Sequence, residues 1–321
     1  MKRRVLALLI LAFPATLAAC GGGNNPASSS TGAGSCPAAT SSGSGNGATV
    51  NIGSKDFDEE NVLGSITQLV LQAHGFNVNY TFKAADKAIG TALQNGTIDM
   101  YWQYTGTELG TYLGLSTGSY PTDLTQAFNF VQQKDAPRGL CWYAPTQFDD
   151  TNGIAIKTSD AGTYGTTLGA FGQYLTGHPS TSVCILSEFR TRPDGLPGLE
   201  STYGWPSGAN YVDTGMATAE KSIASGQCVS GEIFTTDAGI AANNLTVLQD
   251  DKKLFPPDNA GLVIRQSVAN QYPFIGGLLA PIAAKLTTDV VKMLNADVDL
   301  QNMKPSDVAH AWLLQNGFLN S

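Results

Sequence analysis

The sequence has little charge and few of the motifs that mark enzymes. Charged residues make up 14% of the 321 residues, and histidine occurs three times. His-Glu-x-x-His, Gly-x-x-x-x-Gly-Lys and a Gly-x-Gly-x-x-Gly after a predicted strand do not occur. An exported enzyme is a weak alternative, resting on paired acids such as Asp149 and Asp150. Neighbouring residues of a strand point to opposite faces, so such pairs rarely share a site.

Basic residues are also scarce, with 18 Lys and Arg against 26 Asp and Glu. Removing the first 19 residues, which carry three basic residues and no acid, takes the net charge from −8 to −11. Nucleic acid is therefore an unsuitable partner, since binding the phosphate backbone needs Lys and Arg.

The N-terminus has the pattern of a secretory signal peptide. Basic residues 2–4 precede an apolar run from Val5 to about Leu17, too short to span a bilayer, which takes roughly 20 apolar residues. Leu-Ala-Ala-Cys, ending at Cys20, resembles a bacterial lipobox. We expect a signal peptide over 1–19, a lipidated Cys20 and a flexible linker over 20–47, which is rich in Gly, Ser and Asn. The alternative is a plain signal peptide with a cysteine there by chance.

Four further cysteines, Cys36, Cys141, Cys184 and Cys228, form an even set in a chain expected to be exported. An even set favours two disulfides, for which three pairings exist. We favour Cys184–Cys228 with Cys36–Cys141, because Cys184 and Cys228 fall in neighbouring strand-like segments. No Cys-x-x-Cys pair occurs, and we expect neither a metal nor a cofactor.

Periodicity predicts an α/β fold with two lobes. Apolar spacing predicts strands alternating with helices, which is typical of parallel sheets covered on their faces. Strands are predicted over 49–52, 76–82, 98–101, 153–156, 183–186, 229–234 and 246–248, and helices over 62–73, 84–95, 273–286, 287–295 and 305–316. We place lobe I at 48–148 and 251–321 and lobe II at 149–250. Open α/β sheets bind ligands beyond the carboxyl ends of their strands, so the cleft between the lobes is the expected site.

Several motifs occur in an order that resembles the ProX/OpuAC-like substrate-binding proteins of glycine betaine, choline and carnitine ABC importers. They are Gly53-Ser54-Lys55-Asp56-Phe57, Gly96-Thr97-Ile98-Asp99, Tyr104-Thr105-Gly106-Thr107, the segment from Arg192 to Leu199 with Tyr203-Gly204, Thr235-Thr236-Asp237, Leu248-Gln249-Asp250-Asp251 and Phe255-Pro256-Pro257. The resemblance covers about 50–319 and implies a type II-like periplasmic-binding-protein fold with two parallel-core sheets joined by a hinge. It also implies a small-molecule ligand and a permease partner, and we expect a monomer.

In this family, tyrosines surround a quaternary ammonium and basic residues bind a carboxylate. The resemblance assigns Lys55, Tyr104, Thr107, Asp150 and Arg192 to the site. Three other positions depart from the tyrosine pattern, since Asn152, Phe234 and Asp258 stand there. With one clear cage tyrosine left, a hydroxylated or aromatic ligand is the alternative to a quaternary ammonium. A solute sensor is a further alternative to transport.

Overall fold

The computed structural model describes residues 35–121, 123–215 and 219–320. The predicted signal peptide and Cys20 lie outside these residues. Ala33–Ser321 group into one compact unit.

In the residues that the structure describes, ten strands form two five-stranded sheets. Sheet I has the order β2-β1-β3-β10-β4, and sheet II has the order β7-β6-β8-β5-β9. Their bounds are β1 Thr49–Lys55, β2 Asn77–Ala84, β3 Met100–Tyr104, β4 Leu140–Tyr143, β5 Asn152–Lys157, β6 Ser182–Ile185, β7 Asn210–Asp213, β8 Ser230–Phe234, β9 Leu245–Val247 and β10 Ala260–Arg265.

Helices cover both sheets. They are α1 Asp58–Ala73, α2 Asp86–Asn95, α3 Thr105–Thr107, α4 Leu124–Asp135, α5 Ala161–Tyr164, α6 Leu168–Gly177, α7 Leu196–Tyr203, α8 Ala219–Ser225, α9 Gly239–Ala242, α10 Gln266–Gln271, α11 Phe274–Ala283, α12 Thr288–Asp299 and α13 Pro305–Gln315. A π-helical turn, Glu108–Tyr112, continues α3.

Both sheets are mixed rather than parallel throughout. β1 pairs in parallel with β2 and β3, and β6 pairs in parallel with β7 and β8. β10 runs antiparallel to β3 and β4, and β5 runs antiparallel to β8 and β9. The two-lobed α/β fold is as predicted, with parallel pairs at the core of each sheet and an antiparallel strand inserted where the chain crosses over.

Each sheet has its own apolar core. The core of sheet I includes Ile66, Trp102 and Leu313, and the core of sheet II includes Ile154, Phe171 and Trp205. Burial of these side chains is the main favourable term in folding, at about 25 cal/mol per Å² of apolar surface. Two cores on two sheets leave the polar residues between them free to line a cleft.

Two crossover segments, 149–151 and 256–258, connect sheet I with sheet II, and they run next to each other. The Asp150 N–H donates to the Asp258 carbonyl at 3.0 Å, and the Asp258 N–H donates to Asp149 Oδ1 at 2.8 Å. Thr151 Oγ1 donates to the Pro256 carbonyl at 3.2 Å. These bonds fix the two segments to each other at the base of the cleft.

The predicted disulfide pairing is confirmed. Cys36 and Cys141 join with Cα atoms 5.5 Å apart, and Cys184 and Cys228 join with Cα atoms 5.8 Å apart. The first disulfide fastens the N-terminal segment to β4.

The predicted linker over 20–47 extends too far. Besides the disulfide at Cys36, the Tyr143 hydroxyl donates to the Pro37 carbonyl at 2.7 Å. The Thr40 N–H donates to the Pro273 carbonyl, and the Gly47 N–H donates to the Gly75 carbonyl. Composition predicts flexibility because Gly and Ser bury little apolar surface, but a crosslink and backbone hydrogen bonds hold residues 36–47 on the folded unit.

No helix in the described part of the chain is long and apolar enough to cross a bilayer.

Candidate functional site

A cavity of about 390 Å³ lies between the two sheets. Its walls come from the carboxyl ends of β1, β3 and β8, from the loop after β6 and from both crossover segments. The lining residues are Lys55, Asp56, Phe57, Ala85, Asp86, Tyr104, Thr107, Asp150, Leu186, Ser187, Glu188, Phe189, Arg192, Thr214, Glu232, Phe234 and Asp258. This is the position at which an open α/β sheet binds its ligands.

Seven of the eight predicted ligand residues line this cavity: Lys55, Tyr104, Thr107, Asp150, Arg192, Phe234 and Asp258. Asn152 does not. It is buried at the start of β5, opposite Phe234 in the neighbouring strand, and its Oδ1 has no hydrogen-bond partner among the described residues.

Four aromatic rings face the cavity: Phe57, Tyr104, Phe189 and Phe234. Phe57 and Tyr104 belong to the lobe of sheet I, with ring centroids 6.1 Å apart. Phe189 and Phe234 follow strands of sheet II. A cation between such faces is attracted by each ring, by about 0.5–2 kcal/mol per good contact.

Lys55 ends β1, which runs three residues beyond the predicted strand over 49–52, and it is 7% exposed. Its Nζ lies 3.3 Å from Asp86 Oδ1 and 4.5 Å from the centroid of the Tyr104 ring. Beneath it, burial raises the pKa of Glu60 to about 8, although Lys55 itself acts to lower it. The Lys55 ammonium is therefore paired with the Asp86 carboxylate and lies beside the Tyr104 ring.

Tyr104 is fixed at its hydroxyl as well as at its ring. The hydroxyl donates to Glu59 Oε1 at 2.5 Å. Burial, with Glu59 nearby, raises the pKa of Tyr104 well above its usual range, so the phenol stays neutral. The hydrogen bond sets the orientation in which the ring faces the cavity.

The two crossover segments contribute one acid each. Asp150 Oδ1 lies 2.5 Å from Thr236 Oγ1, and Asp258 Oδ1 accepts from the Gly106 N–H at 2.5 Å. Burial raises the pKa of Asp150 well above its usual range and that of Asp258 to about 7. The positive charges of Arg192 and Lys55 lower the pKa of Asp258 and so favour its ionised form.

Arg192 forms a buried ion pair that shapes its own turn. Its Nε and Nη2 donate to the two carboxylate oxygens of Asp194 at 3.0 and 2.8 Å. The Arg192 side chain is 14% exposed and that of Asp194 is 0% exposed. Nη1 is the remaining nitrogen, so Arg192 both fixes the turn and faces the cavity.

The cavity also contains Phe57, Phe189 and Glu232, which the sequence does not predict as site residues. Phe57 lies within the quoted Gly-Ser-Lys-Asp-Phe motif, which is the one signal that pointed to it. Glu232 is buried on β8 and accepts from the Leu186 N–H at 2.7 Å, and burial raises its pKa to about 8. Phe189 comes from a short turn whose position depends on tertiary packing.

Acidic groups outnumber basic groups in the cavity wall. The acids are Asp56, Asp86, Asp150, Glu188, Glu232 and Asp258, and the bases are Lys55 and Arg192. Each base already has an acidic partner, in Asp86 and Asp194. The balance favours a ligand that carries a positive charge.

A second cavity, of about 590 Å³, adjoins the first and shares Asp56, Phe57, Asp150 and Phe234 with it. Its further acids come from α1, α8, α12 and the loop after β8: Asp58, Glu59, Glu220, Asp237 and Asp299. The described residues contain no group of three or more His, Cys, Asp or Glu arranged to hold a metal ion.

One short pattern, Gly-Leu-Ser-Thr-Gly over 114–118, matches the Gly-x-Ser-x-Gly of hydrolase nucleophiles. Ser116 is exposed, and its Oγ pairs with Ser119 Oγ at 2.9 Å. The turn is part of neither cavity described above and does not join a strand to a long helix, so the match carries no catalytic meaning.

Two lobes around an aromatic, acid-lined cleft define an extracytoplasmic-type solute-binding protein. Residues 48–315 match the family model of the OpuAC domain, described as the substrate binding domain of ABC-type glycine betaine transport systems. The chain belongs to this family. It is a substrate-binding protein and not an enzyme, as the sequence predicts.

Three relatives show how the chain compares with known members. It is 31% identical to the glycine-betaine-binding protein of Pseudomonas aeruginosa over 85% of this chain and 89% of that one. It is 28% identical to the glycine betaine-binding protein YehZ of Escherichia coli over 84% of this chain and 91% of that one. The structure of apo YehZ superimposes with a TM-score of 0.63 over 85% of this chain and 99% of that one. It is 27% identical to the ergothioneine transport permease/ergothioneine binding protein EgtU of Helicobacter pylori over 83% of this chain and 47% of that one.

Proposed function

We propose that this chain is an exported lipoprotein that captures a small quaternary-ammonium osmolyte of the glycine betaine, choline and carnitine class. It holds the ligand between its lobes and delivers it to the transmembrane subunit of an ABC importer. The observation that carries the proposal is the cavity between the sheets, in which four aromatic rings and an excess of carboxyl groups surround about 390 Å³.

The ligand's cationic head lies among Phe57, Tyr104, Phe189 and Phe234. Phenylalanine faces attract a cation as tyrosine faces do, so loss of tyrosine hydroxyls does not remove this attraction. Asp258 adds direct charge attraction from the second crossover segment. A ligand carboxylate, where there is one, faces Arg192 Nη1.

The proposed lobe boundaries fall in the connections between sheets. The boundary at 149 lies between β4 of sheet I and β5 of sheet II, and the boundary at 251 lies between β9 of sheet II and β10 of sheet I. Lobe I is then 48–148 with 251–321, and lobe II is 149–250. Bending of the crossover segments closes one lobe on the other, as in hinge-type binding proteins.

Lipidation of Cys20 anchors the monomer to the outer face of the cell membrane. The support is the basic N-terminus, the apolar run and the Leu-Ala-Ala-Cys sequence. Mass spectrometry of membrane-extracted protein tests this proposal. Mature protein that begins at a diacylated Cys20 supports it, and cleavage elsewhere or an unmodified Cys20 contradicts it.

Isothermal titration calorimetry of the chain from residue 33 tests the ligand. The panel is choline, glycine betaine, carnitine and, as a charge control of similar shape, 3,3-dimethylbutanol. We expect saturable binding of one or more of the three quaternary ammonium compounds and none of the neutral isostere of choline. Equal binding of choline and its neutral isostere, or binding of none of the quaternary ammonium compounds, contradicts the proposal.

A second candidate ligand class is a hydroxylated or aromatic solute in the same transport role. Three of the four cavity rings carry no hydroxyl, and several acidic groups accept hydrogen bonds at the cavity wall. Ergothioneine, for which the Helicobacter pylori relative is named, and phenolic compounds extend the same titration panel. Binding of these compounds alone assigns the chain to the second class.

A further inference from the structure

Glu59 and Asp150 form a buried carboxyl pair behind Tyr104. Glu59 lies on α1, which packs on sheet I, and Asp150 lies on the first crossover segment. They are 4% exposed each. The Thr236 hydroxyl, which follows β8 of sheet II, lies 2.7 Å from Glu59 Oε2 and 2.5 Å from Asp150 Oδ1.

A count of hydrogens shows that this arrangement needs one more proton than neutral-pH ionisation supplies. The threonine hydroxyl has a single hydrogen and can donate to one of the two carboxyl groups. With both ionised, the other oxygen would face the hydroxyl oxygen at hydrogen-bond distance with no hydrogen between them. A proton on one of the carboxyls completes both bonds, since that carboxyl then donates to Thr236 Oγ1, which donates to the other.

The other contacts of Glu59 locate the proton. Glu59 Oε1 accepts from the Tyr104 hydroxyl at 2.5 Å, and Glu59 Oε2 also accepts from Asn295 Nδ2 at 2.9 Å. Three donors stabilise Glu59 as a carboxylate. Asp150 has the Thr236 hydroxyl as its one side-chain partner among the described residues, so the proton belongs on Asp150.

We propose that Glu59, Thr236 and Asp150 position Tyr104 for the ligand and that closing the lobes over the ligand places a proton on this carboxyl pair. Thr236 reaches Glu59 only when sheet II is drawn against α1. Opening the cleft removes Thr236 from Glu59 and exposes Asp150 to water, where its proton is released. Closure is therefore favoured as the pH falls and opposed as it rises.

Burial of the carboxyl pair in the closed cleft also favours the bound proton. Burial is the main cause that raises the pKa of both Glu59 and Asp150, and the charge of Glu59 raises the pKa of Asp150 further. The charged and titratable groups that face the pair are Lys55 on β1, Glu60 on α1, Tyr104 on β3, Asp237 after β8 and Asp258 on the second crossover segment, with Asp58, Asp299 and Glu220 around the adjoining cavity. Among them, the hydrogen bond from Tyr104 and the charge of Lys55 favour ionisation of Glu59.

Asp150→Asn is the variant that isolates the pair, because an amide N–H supplies the donor that the proton otherwise supplies. Asp251→Asn is the control, since it removes one carboxylate from an exposed turn. Asp258 titrates in all three proteins, so the comparison between proteins removes its contribution.

The first experiment is titration calorimetry with choline at pH 8 in two buffers of different ionisation enthalpy, which counts protons taken up on binding. We expect wild type and Asp251→Asn to take up close to one proton more than Asp150→Asn. The choline affinity of wild type, relative to that of Asp150→Asn, then falls up to about tenfold per pH unit on the alkaline side. Equal proton numbers in all three proteins would overturn the proposal.

The use of choline rests on the proposed function, so a second experiment needs no ligand. Small-angle scattering from pH 5 to 9 should show a radius of gyration that grows with pH in wild type and in Asp251→Asn. In Asp150→Asn the growth should be smaller. Identical pH profiles would overturn the carboxyl-pair proposal, whereas failure of every probe to bind would count only against the proposed ligand class.

Discussion

At the scale of single residues, the cavity depends on close approaches that few side chains allow. Gly106 is the clearest case, because a Cβ built there would lie 2.9 Å from Asp258 Cγ and 3.0 Å from its Oδ1. The absence of a side chain lets the Gly106 N–H reach Asp258. The carboxyl group of the second crossover segment thus gains a fixed position relative to Tyr104.

Gly106→Ala should therefore displace Asp258 and disturb the cavity. We expect a loss of about 1–3 kcal/mol in the free energy of unfolding, the usual cost of an added methyl in a packed site, together with weaker ligand binding. Urea denaturation and titration calorimetry measure the two effects. Gly162→Ala is the control, since nothing lies within 4 Å of its added Cβ. Equal behaviour of the two variants would show that Asp258 needs no such approach.

Arg192→Ala should act on stability and on ligand choice separately. It leaves Asp194 buried without its partner, for which we expect a loss of about 3–5 kcal/mol in the free energy of unfolding. It should also weaken glycine betaine more than choline, because only glycine betaine has a carboxylate. Arg190→Ala is the control, since its partner Asp213 has a side chain that is 56% exposed, and surface pairs contribute about 0–1 kcal/mol. An equal loss of affinity for both ligands would show that Arg192 does not bind the ligand carboxylate.

At the scale of helices and strands, the sequence predicts seven of the ten strands in the described residues and does not predict β4, β7 and β10. In α1, β5 and β6 the apolar residues recur at a regular spacing, from which the helix and the two strands are predicted. β7 is half-exposed, with the pattern Asn-Tyr-Val-Asp, and has no such signal. β4 and β10 are apolar runs whose antiparallel pairing depends on how the chain returns from sheet II, which is a long-range property. The motifs therefore point to seven residues that line the cavity, while the positions of Phe189 and Glu232 depend on tertiary structure.

The two disulfides should contribute different amounts to the free energy of unfolding. Cys36–Cys141 encloses 105 residues and Cys184–Cys228 encloses 44. Loop entropy gives about 5 kcal/mol for the first and about 4 kcal/mol for the second. Paired Cys→Ala variants in urea denaturation should show the larger loss for Cys36–Cys141. Smaller loss for that pair would mean that residues 36–47 stay attached without the crosslink.

At the scale of the whole molecule, the account requires ligand contacts from both lobes. Lys55, Phe57 and Tyr104 belong to the lobe of sheet I, and Phe189, Arg192 and Phe234 belong to the lobe of sheet II. The two crossover segments are short and hydrogen-bonded to each other, so they suit a hinge. A saturating ligand should then reduce the radius of gyration in small-angle scattering. An unchanged radius would contradict closure.

If the aromatic and acidic cleft binds a quaternary ammonium group, titration of choline and glycine betaine beside 3,3-dimethylbutanol, the neutral isostere of choline, is the measurement that decides. We expect saturable one-to-one binding of the two quaternary ammonium compounds. We also expect loss of that binding in Phe57→Ala and Phe234→Ala, one variant from each lobe, and no binding of the neutral compound. Binding that ignores the charge of the ligand, or that survives the loss of both rings, would contradict recognition of a quaternary ammonium group by this cleft.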